Sequence, residues 1–115
     1  MEDHPNLSSE INAAINKSEI DGGIWWKDVE VGQRALVRTK SRTYVIEQRE
    51  DGTYISGHPQ YCPKPTKARI HGSTWGGSMI KIGWIGVGMR LEFSTAGHPG
   101  DITTNTIQDV LLEPM

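Results

Sequence analysis

The dipeptide Asp51-Gly52, set between two β-patterned runs, constrains the fold most, because Asp-Gly is among the strongest short hairpin signals. Thr43-Tyr44-Val45-Ile46-Glu47-Gln48-Arg49 precedes it and Thr53-Tyr54-Ile55 follows, rich in β-branched and aromatic residues. A two-residue type I′ loop at Asp51-Gly52 predicts Arg49 opposite Tyr54 and Gln48 opposite Ile55. Tyr44, Ile46 and Ile55 then share one face, and Arg49 and Tyr54 share the other, where a guanidinium can lie over the ring.

The same period-2 reading extends along the chain. Ala35-Leu36-Val37-Arg38 and Lys67-Ala68-Arg69-Ile70-His71 read as strands; Ile80, Ile82 and Trp84 alternate with Lys81 and Gly83; Val87, Met89, Leu91 and Phe93 alternate with Gly88, Arg90 and Glu92. A last strand is expected from Thr103 to Leu112. Pro63 and Pro65 make 60–66 a loop, and Gly72–Gly77 and Ala96–Asp101 read as two more. Short strands, tight turns and no crossover helices predict a mainly β chain. It is read as a small antiparallel β-barrel, SH3-like or OB-like in size, with strand glycines Gly83 and Gly88 at its bends.

Before the strands, Leu7, Ile11, Ala14 and Ile15 fall on one helical face, and Gly22-Gly23 ends the pattern. Residues 1–23 are thus expected to form a short N-terminal helical or loose segment, and 24–115 the barrel domain. The apolar face of the segment would cover an open end of the barrel or engage a partner chain.

Charge is unevenly placed. Residues 1–33 carry −5, residues 34–92 carry +6 and residues 93–115 carry −3, within a formal net charge of −2. A basic body between acidic ends suits an anionic partner or neutralisation by the ends. No apolar run is long enough to span a bilayer, Met1-Glu2-Asp3-His4-Pro5 lacks the basic-then-apolar order of a secretory signal, and Cys62 is the only cysteine. A cytoplasmic location without membrane insertion is the expectation.

The run Gly72-Ser73-Thr74-Trp75-Gly76-Gly77-Ser78-Met79-Ile80-Lys81-Ile82-Gly83-Trp84-Ile85-Gly86-Val87-Gly88-Met89-Arg90-Leu91-Glu92-Phe93 resembles a family of small bacterial proteins of unknown function. Val31-Gly32-Gln33-Arg34 and Thr39-Lys40-Ser41-Arg42-Thr43-Tyr44 are similar to its opening strands. The resemblance covers about residues 30–94. It implies a bacterial origin and no activity.

Motifs for chemistry are sparse. No Gly-x-Ser-x-Gly elbow precedes a helical pattern, and Ser73 and Ser78 read as turn residues. An enzyme would need a polar pocket near Trp75, His71 and Arg69. His58 and Cys62 lie four residues apart with His71 and His98 elsewhere, without the paired spacing of a zinc site, so neither metal nor cofactor is expected. The tripeptide Gly-His-Pro occurs at 57–59 and 97–99 and reads as two similar loops.

The remaining candidates are binding residues. Trp75 sits among Gly72, Gly76 and Gly77, either pinned to the core edge or displayed; of adjacent Trp25 and Trp26, one ring is expected near the surface. Tyr54 and Tyr44 accompany Arg38, Lys40, Arg42, Arg49, Lys67, Arg69 and His71. Two readings follow. The first is a non-enzymatic interaction module that binds a protein partner or itself as a homo-oligomer, using aromatics such as Trp75 and Trp25. The second is a barrel that binds single-stranded nucleic acid through the basic 34–71 region.

Overall fold

A computed structural model describes residues 22–76 and 79–115. The expected N-terminal helix lies outside them, and among the described residues the only helical turn is a 3-10 turn at Trp26–Asp28. Nine strands follow in order: β1 (Gly23–Trp25), β2 (Gln33–Thr39), β3 (Thr43–Arg49), β4 (Gly52–Ser56), β5 (Thr66–Gly76), β6 (Met79–Ile82), β7 (Trp84–Gly86), β8 (Arg90–Thr95) and β9 (His98–Pro114). The order β4-β3-β2-β9-β8-β5, with β4 also pairing β5, makes a near-closed antiparallel ring of six strands.

Two long strands bring the ring nearly to closure. The 17-residue β9 pairs β8 from His98 to Thr106 and β2 from Ile107 to Pro114, with bulges in both ladders. A bulge increases local twist, which lets one strand serve both halves of a curved sheet. β5 meets β4 at Thr66 and Lys67 and meets β6 along Gly72–Gly76, so β4 and β6 share one of its edges in succession, while β8 takes the other.

Alternation puts the core inside the ring. Ala35 and Val37 on β2, Tyr44 and Ile46 on β3, Ile55 on β4, Leu91 and Phe93 on β8, and Ile102, Ile107 and Val110 on β9 are buried. Their neighbours Arg38, Glu92, Asp101 and Asp109 point outward or remain partly exposed. Register explains the match: Ala35 faces Ile46, Ile46 faces Ile55, and Phe93 faces both Ile70 and Ile102. The two-stranded β1–β7 sheet adds Ile24 and Ile85 to this core, and the Ser73 hydroxyl ties it to β5 by donating to the Trp84 carbonyl at 2.6 Å.

Several sequence expectations are corrected. The hairpin turns at Glu50-Asp51, with Arg49 opposite Gly52 and Glu47 opposite Tyr54. A type I′ loop needs positive φ at two successive residues, and here only Gly52, at φ 139°, is positive. The register therefore moves by two residues, which leaves every side chain on its expected face. Gly72 to Gly76 is strand rather than loop, and β9 starts within the expected loop, at His98. The run through Ile80, Ile82 and Trp84 breaks at Gly83, whose φ of 75° turns the chain so that Trp84 pairs β1 instead of β5. Gly83 and Gly88 thus lie between strands, not inside them.

Cys62 is fully buried beside the His58–Cys62 bridge, and burial pushes its thiol above the ordinary range. Both effects suppress the thiolate that reacts. Ellman's reagent at mildly alkaline pH should therefore label Cys62 no faster than the chain opens; labelling at the rate of a free thiol would contradict this packing.

Candidate functional site

The expected binding residues fall into separate places. Arg49 and Tyr54 meet across the hairpin, the guanidinium 4.3 Å from the ring centroid, as their shared face requires. Both are already engaged: Arg49 Nε donates to Glu47 at 2.9 Å, and the Tyr54 hydroxyl donates to Asp51 at 2.7 Å, which holds the Asp51 carboxyl below its usual range. Arg38 lies 3.9 Å from Asp109 on β9, and Arg34 lies 2.6 Å from Glu113. The acidic tail thus folds back as β9 and neutralises the basic β2 at close range.

Trp25 lies against Trp84, with ring centroids 4.8 Å apart. The Lys81 ammonium sits 4.6 Å from the Trp84 ring centroid and 5.3 Å from that of Trp25. Trp25 is half-buried in this cluster, and Trp26 packs partly buried against the core. Trp75 is displayed rather than pinned: it is 75% exposed near the end of β5. Across the hairpin, Met79 and Ile82 of β6 are each 78% exposed. Sequence reading set Ile80, Ile82 and Trp84 in one alternating strand; the turn at Gly83 divides that run and leaves Ile82 exposed while Trp84 is buried.

Arg69 and His71 share the outer face of β5 and border an open groove of about 330 Å³ with Ile70, Ile80, Ile82 and Glu92. A bulge between Ile70 and Gly72 sets His71 beside Glu92 of β8. His71 Nε2 lies 2.9 Å from the Ser94 hydroxyl and 3.6 Å from Asp101 of β9. The donor atoms of His71, Glu92 and Asp101 fall within 4.8 Å of one another. One imidazole and two carboxylates on three adjacent strands could hold a divalent cation. In the structure the His71 Nε2 is instead hydrogen-bonded to the Ser94 hydroxyl. Trp75 does not line this groove, so the groove brings together His71 and Arg69 without it.

Arg42 belongs to a different site. A polar pocket of about 140 Å³ is lined by Ser41, Arg42, Tyr44, His58, Tyr61, Ile102, Thr103, Thr104 and Asn105. The two Gly-His-Pro segments meet beside it: the Tyr61 ring lies 4.5 Å from that of His58 and 4.7 Å from that of His98. Of its lining, sequence reading had named Arg42, Tyr44 and His58, though not as one site. Tyr61, Asn105 and Thr103 were not singled out, because Tyr61 reaches the pocket from the proline-bounded loop and Thr103 and Asn105 from β9, far along the chain from Arg42.

Comparison of the chain with family models, with curated proteins and with solved structures finds no match.

Proposed function

We propose that this protein is a non-enzymatic interaction module that self-associates through the β5–β6 hairpin. In this reading the six-stranded ring is a small barrel, SH3-like or OB-like in size. The observation that carries the reading is the apolar hairpin: Trp75, Met79 and Ile82 stand exposed around an edge strand. Met79 and Ile82 alternate to opposite faces of β6, so apolar side chains flank its open edge on both sides, and an exposed hydrophobic edge strand is a ready template for pairing with another chain.

The edge itself favours a second copy as the occupant. Among the described residues β6 pairs only with β5, so its other edge offers unpaired backbone groups. Natural edge strands often block such pairing with a lysine. Here Lys81, the one charge in β6, is drawn over Trp84 and Trp25. Antiparallel pairing of β6 with β6 of a second copy about a two-fold axis would satisfy both edges and cover Met79 and Ile82 on both chains. Nucleic-acid binding is the weaker reading, because Arg34, Arg38 and Arg49 each face an acid of the same sheet.

Sedimentation equilibrium of the full chain tests this. The wild type should show a concentration-dependent monomer–dimer equilibrium. The double substitution Met79→Lys with Ile82→Lys should weaken it by at least about tenfold, since like charges then meet across the two-fold. Unchanged circular dichroism would show that the variant folds. A wild type that stays monomeric at every concentration overturns the reading, including the case in which residues 1–21 of the same chain cover the hairpin.

A further inference from the structure

We infer that the pocket between Arg42, Tyr44 and His58 is a binding site for a small oxyanion, a carboxylate or a phosphate group. Arg42 reaches it from the β2–β3 turn, Tyr44 from β3 and His58 from the loop after β4. Thr39 positions Arg42: the backbone amide and hydroxyl of Thr39 both donate to the Arg42 carbonyl, at 2.8 and 3.0 Å, in a tight β2–β3 turn. The Arg42 side chain makes no ion pair among the described residues, unlike Arg34, Arg38 and Arg49. An unpaired guanidinium bordering a polar pocket is a ready partner for a planar or tetrahedral oxyanion.

Tyr44 is the second, independent observation. The residue as a whole is only 3% exposed and lines the pocket; its hydroxyl makes no hydrogen bond among the described residues and is not sealed from the surface, so it is open to something bound there. A phenolic hydroxyl that opens on a polar pocket can donate to an oxyanion held there. The ring does structural work in the core, edge-on to Phe93 with centroids 6.0 Å apart; the hydroxyl does none.

His58 adds a donor of fixed sense. Its Nδ1 accepts from the amides of Gln60 and Tyr61, at 3.1 and 3.3 Å. With Nδ1 accepting, the neutral ring carries its proton on Nε2. Burial and the nearby Arg42 keep His58 below the ordinary imidazole range, and Arg42 is likewise the charge that opposes the burial-driven rise of Tyr44. Asn105 Nδ2 donates to Ser41 Oγ at 2.7 Å and braces the rim. A volume of about 140 Å³ admits one small oxyanion group and not a nucleotide.

The test is a heteronuclear NMR titration of the full chain with inorganic phosphate and, separately, with acetate, each at ionic strength held constant with sodium chloride. Saturable shifts of the His58 ring and of the Thr103, Thr104 and Asn105 amides are expected, with a dissociation constant on the order of millimolar. Preference for phosphate assigns a tetrahedral group and preference for acetate a carboxylate; either supports the site. Arg42→Gln should weaken binding by at least about tenfold, and Tyr44→Phe, which keeps the core ring, by about threefold or more. Shifts that do not saturate and match those in chloride alone overturn the inference. So does wild-type affinity in both variants. Neither result depends on whether the protein self-associates.

Discussion

Replacing Gly72 by alanine should destabilise the fold by about 3–5 kcal/mol and leave much of the chain unfolded at physiological temperature. The reason is local. Gly72 has a φ of 146°, and a Cβ built there would stand 2.1 Å from the Lys81 carbonyl oxygen, 2.9 Å from the Gly83 amide nitrogen and 3.0 Å from the Ile82 Cα. All three atoms are backbone, so no side chain can move aside. The strain falls where β5 is paired on both edges, with Ile82 on β6 and Glu92 on β8. Gly97→Ala is the matched control: its Cβ meets nothing within 4 Å, and its φ is not positive. It should change stability by no more than about 0.5 kcal/mol. Chemical denaturation of both variants checks the pair, and equal effects would show that β5 and β6 do not pack as described.

Phe93→Ala should cost about 3–5 kcal/mol by a different route. Phe93 is fully buried on β8 between Ile70 on β5 and Ile102 on β9, and packs edge-on against Tyr44 of β3. It thus touches both halves of the ring. Removing the ring takes away apolar burial and leaves a cavity that the constrained strands cannot close. A reduction below about 1 kcal/mol in urea denaturation would place Phe93 outside the core, since surface truncations cost that little.

How much of this was legible in the sequence depended on range. The strands β2, β3, β4 and β8 follow from local alternation, and the core residues Val37, Tyr44, Ile46, Ile55, Leu91 and Phe93 follow from the same alternation. The hairpin was legible in its faces but not its register, because a shift of two residues conserves the pleat. Glycine misled where its use was tertiary. Gly72 and Gly76 read as loop residues, yet they lie in a strand, and Gly72 is required by the close approach of β6. Gly83, read as a strand residue, makes the turn that divides exposed Ile82 from buried Trp84.

The candidate sites were less legible still. Arg42, His71 and Trp75 were singled out by type, but their partners come from pairing across the ring. Glu92 and Asp101 reach His71 through the β5–β8 and β8–β9 ladders. Tyr61 and Asn105 reach Arg42 from a proline-bounded loop and from β9. Charge showed the same limitation. A basic middle and an acidic tail were visible as numbers, whereas their cancellation on β2 and β9 needed the register that sets Arg34 opposite Glu113 and Arg38 opposite Asp109.

The central claim is that the free edge of β6 is where two copies meet. Amide hydrogen exchange followed by NMR at two protein concentrations, one well below and one well above the association midpoint, tests it directly. The account predicts that the β6 amides facing away from β5 exchange freely in the dilute sample and become protected in the concentrated one, while amides within the β2–β3 ladder are unchanged. Equal exchange of the β6 edge at both concentrations, or protection appearing at another strand instead, would contradict it.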